Sequence, residues 1–497
     1  MGVIKQQSIR STVLIYIGFA IGGINTVFLF PHIFTENEFA LTRLLQEIAV
    51  ILVPVCTLSS VPTISRFFPY YSSHLKDKDN DMLTWSVVAT IIGFFLFVLG
   101  TIFFKDLIIR KFATNSPLFI SYFFLLYPNV LLFALFGVFE SYSGSRHLTV
   151  FPNFLKELVL RILTTVLVVM YYFKWVGFDL FLWLFSLLYG MLLVALLVYL
   201  YKHHFLHFTF KVSNVTRRLF GMMSTYSMSL LGATLFALLA QNIAALILSS
   251  AKGLDNVAYL TIATYISQLI LVPQRSIAAI GLPVLAKAWK EKDMDKIEEV
   301  YVKSSVLQLV YAMFIFLVIW LNIDSIFSFL PESYKVGKYV VFYLGLSRVI
   351  DMGTGLNSQL LSTSRLWRFD LYSSVIFLAL SFPLNYYLIN NYGLLGSGYA
   401  GLLSMLVFNL IRYIFIWYKF RLQPFTVNTV KAIGVALLSF VATMWIPFVV
   451  HPLLDILVKG TVFTLIFGSL TLLMRISGDI NDTAYGMLSK VRSILKK

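Results

Sequence analysis

Residues 180–200 read LFLWLFSLLYGMLLVALLVYL, twenty-one positions without one charged side chain. A helix rises about 1.5 Å per residue, so a run of this length reaches across the roughly 30 Å hydrocarbon core of a bilayer. A barrel strand would need only about ten residues, with apolar and polar side chains alternating. Leu180 to Leu200 shows no such alternation. The stretch reads as one membrane-spanning helix.

Reading outward from it for similar apolar runs between polar breaks gives fourteen expected spans. They lie at about 11–33, 38–65, 83–104, 117–138, 148–173, 180–200, 219–249, 256–282, 304–322, 339–361, 371–388, 394–416, 432–449 and 454–474. Composition requires such an answer. Hydrophobic residues make up 59% of the 497 positions, charged residues 12%, and mean hydropathy is +0.83. Soluble chains run at roughly 45–50% apolar and about 25% charged, so lipid must solvate much of this surface. The fold class expected is all-α and polytopic. A single cysteine, Cys56, excludes a disulfide scaffold.

The net charge of +16 does not point to nucleic acid, because the basic residues are scattered among short loops. No cleavable signal is expected: Lys5 and Arg10 precede an apolar run longer than a signal core. Gln6 stands where a myristoylation site would need Ser or Thr. The Lys/Arg bias sets the orientation. With both termini on one side, that side collects 26 of the 39 basic residues and the other side seven, so both termini are expected to be cytoplasmic.

Sliding the chain by 219 positions superimposes Ile51-Leu52-Val53-Pro54 on Ile270-Leu271-Val272-Pro273. The same shift places Ser143, Ser145 and Arg146 on Ser362, Ser364 and Arg365, and Gly177 on Gly396. An even number of spans per unit makes these parallel repeats, an arrangement used by transporters with a central site. The organisation expected is an N-terminal six-helix lobe (1–205), a cytoplasmic linker (206–218), a C-terminal six-helix lobe (219–420), and two additional helices with a cytoplasmic tail (421–497). The lobes should form a V-shaped bundle.

The segment Glu38-Phe39-Ala40-Leu41-Thr42-Arg43-Leu44 resembles the "EFGLxRL" motif that opens span 2 in the multidrug/oligosaccharidyl-lipid/polysaccharide exporter superfamily. Arg66-Phe67-Phe68-Pro69 resembles the "R-F-x-P" motif that closes it in polysaccharide flippases. Two six-span bundles with an extra pair fit that superfamily over essentially the whole chain. The chain is similar to Wzx-type oligosaccharide flippases, with Ala40 where Gly is usual. Fourteen spans, against the twelve commoner in that type, also resemble lipid II flippases of the MurJ type. The resemblance implies alternating access, a polyprenyl-diphosphate-linked oligosaccharide as substrate, a place in the cytoplasmic (inner) membrane, and other polysaccharide-assembly proteins as partners.

Ionisable groups within spans cost about 2.5–3.5 kcal/mol each on insertion scales, so each needs a partner, water or a function. Arg43 and Glu47, Glu157 and Arg161, and Arg348 and Asp351 are each one helical turn apart. Each pair either neutralises itself as a packing device or offers its charge to a ligand. Arg275 is different: Leu271, Val272, Ala278 and Ala279 are its helical neighbours, so no carboxylate on its own helix can meet it. Arg412 also lacks one, but its place near Lys419 suggests snorkelling to the cytoplasmic surface. At the 219 shift, Arg275, Arg348 and Asp351 fall on Cys56, Asn129 and Leu132, while Arg43 and Glu47 fall on Ile262 and Ile266. A duplicated scaffold with unduplicated charges suits an asymmetric substrate.

Substrate binding is therefore expected at Arg275, Arg348 and Arg43, since guanidinium forks match phosphate oxygens. Ion coupling is expected at Glu47 or Asp351. Asn25, Gln46, Gln241, Asn242 and Gln268 read first as interhelical hydrogen bonds and second as sugar contacts. Gly18 and Gly22 permit close helix packing. Asp77-Lys78-Asp79-Asn80-Asp81 looks like a calcium loop, but Met82 replaces its glycine and a solvated turn is the simpler reading. His203, His204 and His207 have no acidic companion, and no metal, cofactor or catalytic residue is expected. A phosphate loop for ATP is missing as well. Two further classes compete with a flippase. A multidrug/cation antiporter would want acids to prevail over arginines. A membrane glycan polymerase or glycosyltransferase would want a large external loop, and the longest here is Asn322 to Lys338.

Overall fold

The protein is described by a computed structural model covering residues 14, 17–447 and 451–482. The terminal charges Lys5, Arg10 and Lys490 to Lys497, and the start of the first expected span, lie outside the described residues. Among the described residues every regular element is helical. Eleven helices are long and apolar enough to cross a membrane, and the chain is a multi-pass membrane protein. Three expected spans are not unbroken helices of that length. Two carry π-helical turns, at Ile24–Leu29 and Leu155–Val159, and the third breaks after Gly353.

The chain divides into two compact units, 1–258 and 259–497. The first holds α1 (Ile17–Ile33), α2 (Glu36–Cys56), α3 (Ser60–His74), α4 (Met82–Phe103), α5 (Lys105–Phe112), α6 (Leu126–Ser145), α7 (Leu160–Tyr172), α8 (Phe178–Lys202) and α9 (Asn214–Ala251). α2 starts at a capping box. Thr35 Oγ1 accepts from the Glu38 backbone at 3.4 Å, and Glu38 Oε2 accepts from the Thr35 backbone at 3.0 Å. Two orphan amides are thus satisfied at the helix start. α2 packs on α4, α6 and α9, and α6 packs on α8. α3, α6 and α8 share a core of Phe67, Phe68, Tyr71, Phe136, Tyr142, Leu192 and Leu196.

A Cβ on Gly18 would come within 2.1 Å of the Glu157 carbonyl oxygen, so only glycine lets α1 approach the π-helical turn before α7 this closely. The acidic turn at 77–81 departs from a solvated loop. Asp77 to Asp79 form an exposed 3₁₀ turn, but Asn80 and Asp81 are buried. Asp81 Oδ2 accepts from the Ser213 backbone and from Thr216 Oγ1, both at 2.8 Å, while the buried Oδ1 has no hydrogen-bond partner among the described residues.

The second unit begins within α10 (Leu254–Gln268), which a 3₁₀ turn joins to α11 (Val272–Glu291). It continues through α12 (Met294–Leu321), α13 (Lys338–Gly353), the short α14 (Asn357–Thr363), α15 (Arg368–Tyr392), α16 (Leu394–Phe420), α17 (Val427–Met444) and α18 (Pro452–Leu473). α13 and α15 pack on α16, and α17 joins the unit through α12. Asp455 of α18 is buried, bonded to Ser325 Oγ at 2.5 Å and paired with Lys459 at 3.0 Å.

Candidate functional site

In the first unit the polar groups gather where α1, α2 and α7 meet. α2 carries Arg43, Gln46 and Glu47 within two turns. Arg43 Nη2 donates to Thr26 Oγ1 at 3.0 Å and Nη1 to Gln46 Oε1 at 3.3 Å. The guanidinium also lies 5.0 Å from the Phe30 ring centre and 5.3 Å from that of Phe39, a placement favoured by the negative faces of the rings. Arg43 and Glu47 attract each other but make no ion pair. The buried Oε2 of Glu47 accepts no hydrogen bond among the described residues.

Beside this group, Asn25 Nδ2 donates to the Arg161 carbonyl at 3.0 Å and Thr165 Oγ1 donates to Asn25 Oδ1 at 2.8 Å. Asn25 is thus an interhelical hydrogen-bonding residue. Arg161 pairs with Glu157 at 2.9 Å, as their four-residue spacing allows. Asn25 and Glu157 both sit in π-helical turns, a feature frequently found at functional sites.

In the second unit, α13 ends at Gly353 and the chain turns through Thr354, Gly355 and Leu356 before α14. Gly355 has φ +69°, and a Cβ there would meet the Ser305 backbone nitrogen at 2.9 Å. Irregular backbone at membrane depth is tolerated where protein buries it, and Thr354 and Asn357 are buried. Asn409 of α16 stitches the break together. It accepts from Thr354 Oγ1 and Asn357 Nδ2, both at 2.9 Å, and donates to Asp351 Oδ1 at 3.2 Å. Asp351 therefore belongs to a cross-helix network, and it makes no ion pair with Arg348 despite their three-residue spacing.

Arg348 is half-buried, and its buried Nε has no hydrogen-bond partner. Arg275, on α11, is exposed and makes neither a hydrogen bond nor an ion pair among the described residues. Arg412 departs from the snorkelling expected of it. It is only 6% exposed, donates to Asp370 Oδ1 at 2.6 Å and to Ser373 Oγ at 3.1 Å, and lies 4.1 Å from the Phe408 ring centre. Asp370 opens α15 and Arg412 lies toward the end of α16, so two antiparallel neighbours bring them together. Asn242 bonds its own helix at Leu238 instead of a neighbour. Sequence reading missed Thr26, Thr354, Asn357, Asn409 and Asp370, all of which act across helices.

Arginines without carboxylate partners can hold an anion, and carboxylates held by neutral amides can hold or exchange a cation. No group of three or more His, Cys, Asp or Glu side chains suited to a metal ion occurs among the described residues. No family profile matches the sequence, and no curated protein sequence matches it either. Solved structures do. The lipid II flippase MurJ in an inward closed conformation matches with a TM-score of 0.72 at 13% identity, over 94% of this chain and 98% of that one. An inward-facing multidrug resistance MATE family transporter of the MOP superfamily matches with a TM-score of 0.63 at 14% identity, over 82% of this chain and 94% of that one. A mutant of the Vibrio cholerae MATE transporter VcmN matches with a TM-score of 0.57 at 11% identity, over 85% and 98% of the two chains. The chain has the fold shared by MurJ and the MATE transporters of the MOP superfamily.

Proposed function

We propose that the protein is a flippase that carries a polyprenyl-diphosphate-linked oligosaccharide across the cytoplasmic membrane by alternating access, for surface polysaccharide biosynthesis. The observation that carries this reading is Arg275. It is an exposed guanidinium on a helix long and apolar enough to cross a membrane, with no protein partner among the described residues. Such a charge is costly in hydrocarbon unless a function requires it. Arg348, in the same unit and also without a hydrogen bond or ion pair among the described residues, is the second phosphate contact; Arg43, in the first unit, is a separate substrate-binding residue. A diphosphate offers the paired oxygens that guanidinium forks fit.

Glu47 and Asp351 are the ion-coupling groups. Glu47 keeps one buried oxygen without a hydrogen bond among the described residues, and Asp351 sits at a helix break, bonded to the Asn409 amide. The repeat and the lobes at 1–205 and 219–420 belong to the same reading, with fourteen spans and both termini cytoplasmic. In support, the helix ends Ile33 and Ala251, Phe103 and Leu321, Ser145 and Thr363, and Lys202 and Phe420 are each 218 residues apart. The step is transport and no covalent chemistry is assigned to the chain; MurJ, a lipid II flippase, has the same fold.

Deleting the gene in its host tests this directly. Loss of surface glycan with accumulation of its lipid-linked precursor is the expected outcome. The second reading, a multidrug/cation antiporter, draws on the free Glu47 oxygen. It expects intact glycan and raised drug sensitivity in the same strain.

A further inference from the structure

The connection between α8 and α9 joins two helices long and apolar enough to cross a bilayer. One side of it is fastened to the protein. Tyr142 donates to the Phe205 carbonyl at 3.2 Å, the Thr209 amide donates to Thr84 Oγ1 at 3.0 Å, and the Ser213 amide donates to Asp81 at 2.8 Å. The Arg146 guanidinium lies 4.8 Å from the centre of the Phe205 ring. The backbone between these anchors forms neither helix nor strand.

The other side is apolar and unpaired. Phe208, Phe210 and Val212, between and beside the anchored Thr209 and Ser213, are exposed, Phe210 with 74% of its surface. Tyr201 and Phe220, at the two flanking helix ends, are exposed as well. In water, three such side chains in a row would gain nothing from being presented. Around them lie exposed Lys202, Lys211, Arg217 and Arg218. No Asp or Glu occurs anywhere between Leu180 and Leu254. Of the carboxylates beside it, Asp81 is buried on the anchored side and accepts two hydrogen bonds, and Asp77 is exposed but paired with Arg146 at 2.6 Å.

We infer that residues 201–220 form a docking strap for anionic phospholipid. Phe208, Phe210 and Val212 enter the headgroup–acyl boundary, while Lys211, Arg217 and Arg218 meet lipid phosphates. Apolar side chains at the acyl boundary with cations at headgroup level are what an anionic leaflet selects. Because Ser213 also caps α9 by accepting from the Thr216 backbone, lipid held by the strap fixes the start of that helix. This surface is separate from Arg275 and from the transport reading, and it stands or falls without them.

The test uses the full-length protein with Cys56→Ala and Val212→Cys, carrying an environment-sensitive fluorophore at position 212. It is reconstituted in nanodiscs of phosphatidylcholine with rising phosphatidylglycerol. Blue-shifted emission, quenched by spin-labelled lipid as phosphatidylglycerol rises, is expected. Phosphatidylglycerol retention, followed by native mass spectrometry of the unlabelled chain, should weaken roughly fivefold for each cation removed in Lys211→Ala, Arg217→Ala and Arg218→Ala. Lys211→Arg should retain lipid as the parent does. Emission typical of bulk water at every lipid composition would overturn the proposal and leave the strap to a protein partner. Equal retention by the triple alanine variant would overturn it too.

Discussion

Arg43 and Glu47 stand one turn apart on α2, yet the arginine reaches across to Thr26 Oγ1 at 3.0 Å and makes no ion pair with the glutamate. The pair that the spacing predicts is replaced by a tie between α1 and α2, and one buried oxygen of Glu47 is left without a hydrogen bond. Charge on a single helix is therefore divided between a structural contact and a group able to act.

That division makes a prediction for Glu47→Gln. Because no salt bridge is broken, membrane abundance and thermal stability in detergent should stay within about 1 kcal/mol of the parent, the scale of one ordinary hydrogen bond. The pH or sodium dependence of transport should change. Unaltered gradient dependence in both Glu47→Gln and Asp351→Asn would remove these residues from ion coupling.

Arg412 and Asp370 make the opposite prediction. Breaking a buried pair by removing one partner typically costs about 3–5 kcal/mol, whereas replacing both with apolar residues can be nearly neutral. Arg412→Ala should accumulate poorly and melt early, and Asp370→Leu combined with Arg412→Met should recover most of the loss. A thermal-shift series over the single and double variants checks it. Equal melting of all variants would mean that the 2.6 Å contact contributes little.

How far the sequence could be read follows from these residues. Spans were legible because hydrocarbon thickness sets the length of an apolar run, as at Leu180 to Leu200. Interruptions were not, since a π-helical turn at Asn25 or a break at Thr354 leaves hydropathy unchanged. Helical spacing correctly paired Glu157 with Arg161 but failed for Arg43 and Arg348, since it names partners on one helix and is silent about neighbours. Arg412 and Asp370 carried a usable signal: two opposite charges at adjoining ends of consecutive antiparallel spans. Asn409 carried none, because an amide in a span is ordinary until its neighbours are known.

Close packing gives a third prediction. In Gly18→Ala the new Cβ would meet the Glu157 carbonyl oxygen at 2.1 Å, so α1 must move. Overpacking of this kind costs about 1–3 kcal/mol, and detergent-solubilised Gly18→Ala should unfold earlier than the parent. Gly100→Ala, where nothing lies within 4 Å, should not. Equal stability of the two would show that α1 yields without strain.

On the flippase reading Arg275 offers its charge to the substrate, and a substitution series at this position tests that. Arg275→Ala should lower surface-glycan complementation by roughly 10- to 100-fold, the equivalent of the ~1.5–3 kcal/mol typical of a hydrogen bond to a charged group. Membrane abundance should stay near the parent's, since the side chain is exposed and bonds nothing among the described residues. Arg275→Lys keeps the charge without the fork and should fall between the two. Normal glycan from Arg275→Ala, or failure of that variant to accumulate in the membrane, would contradict the account.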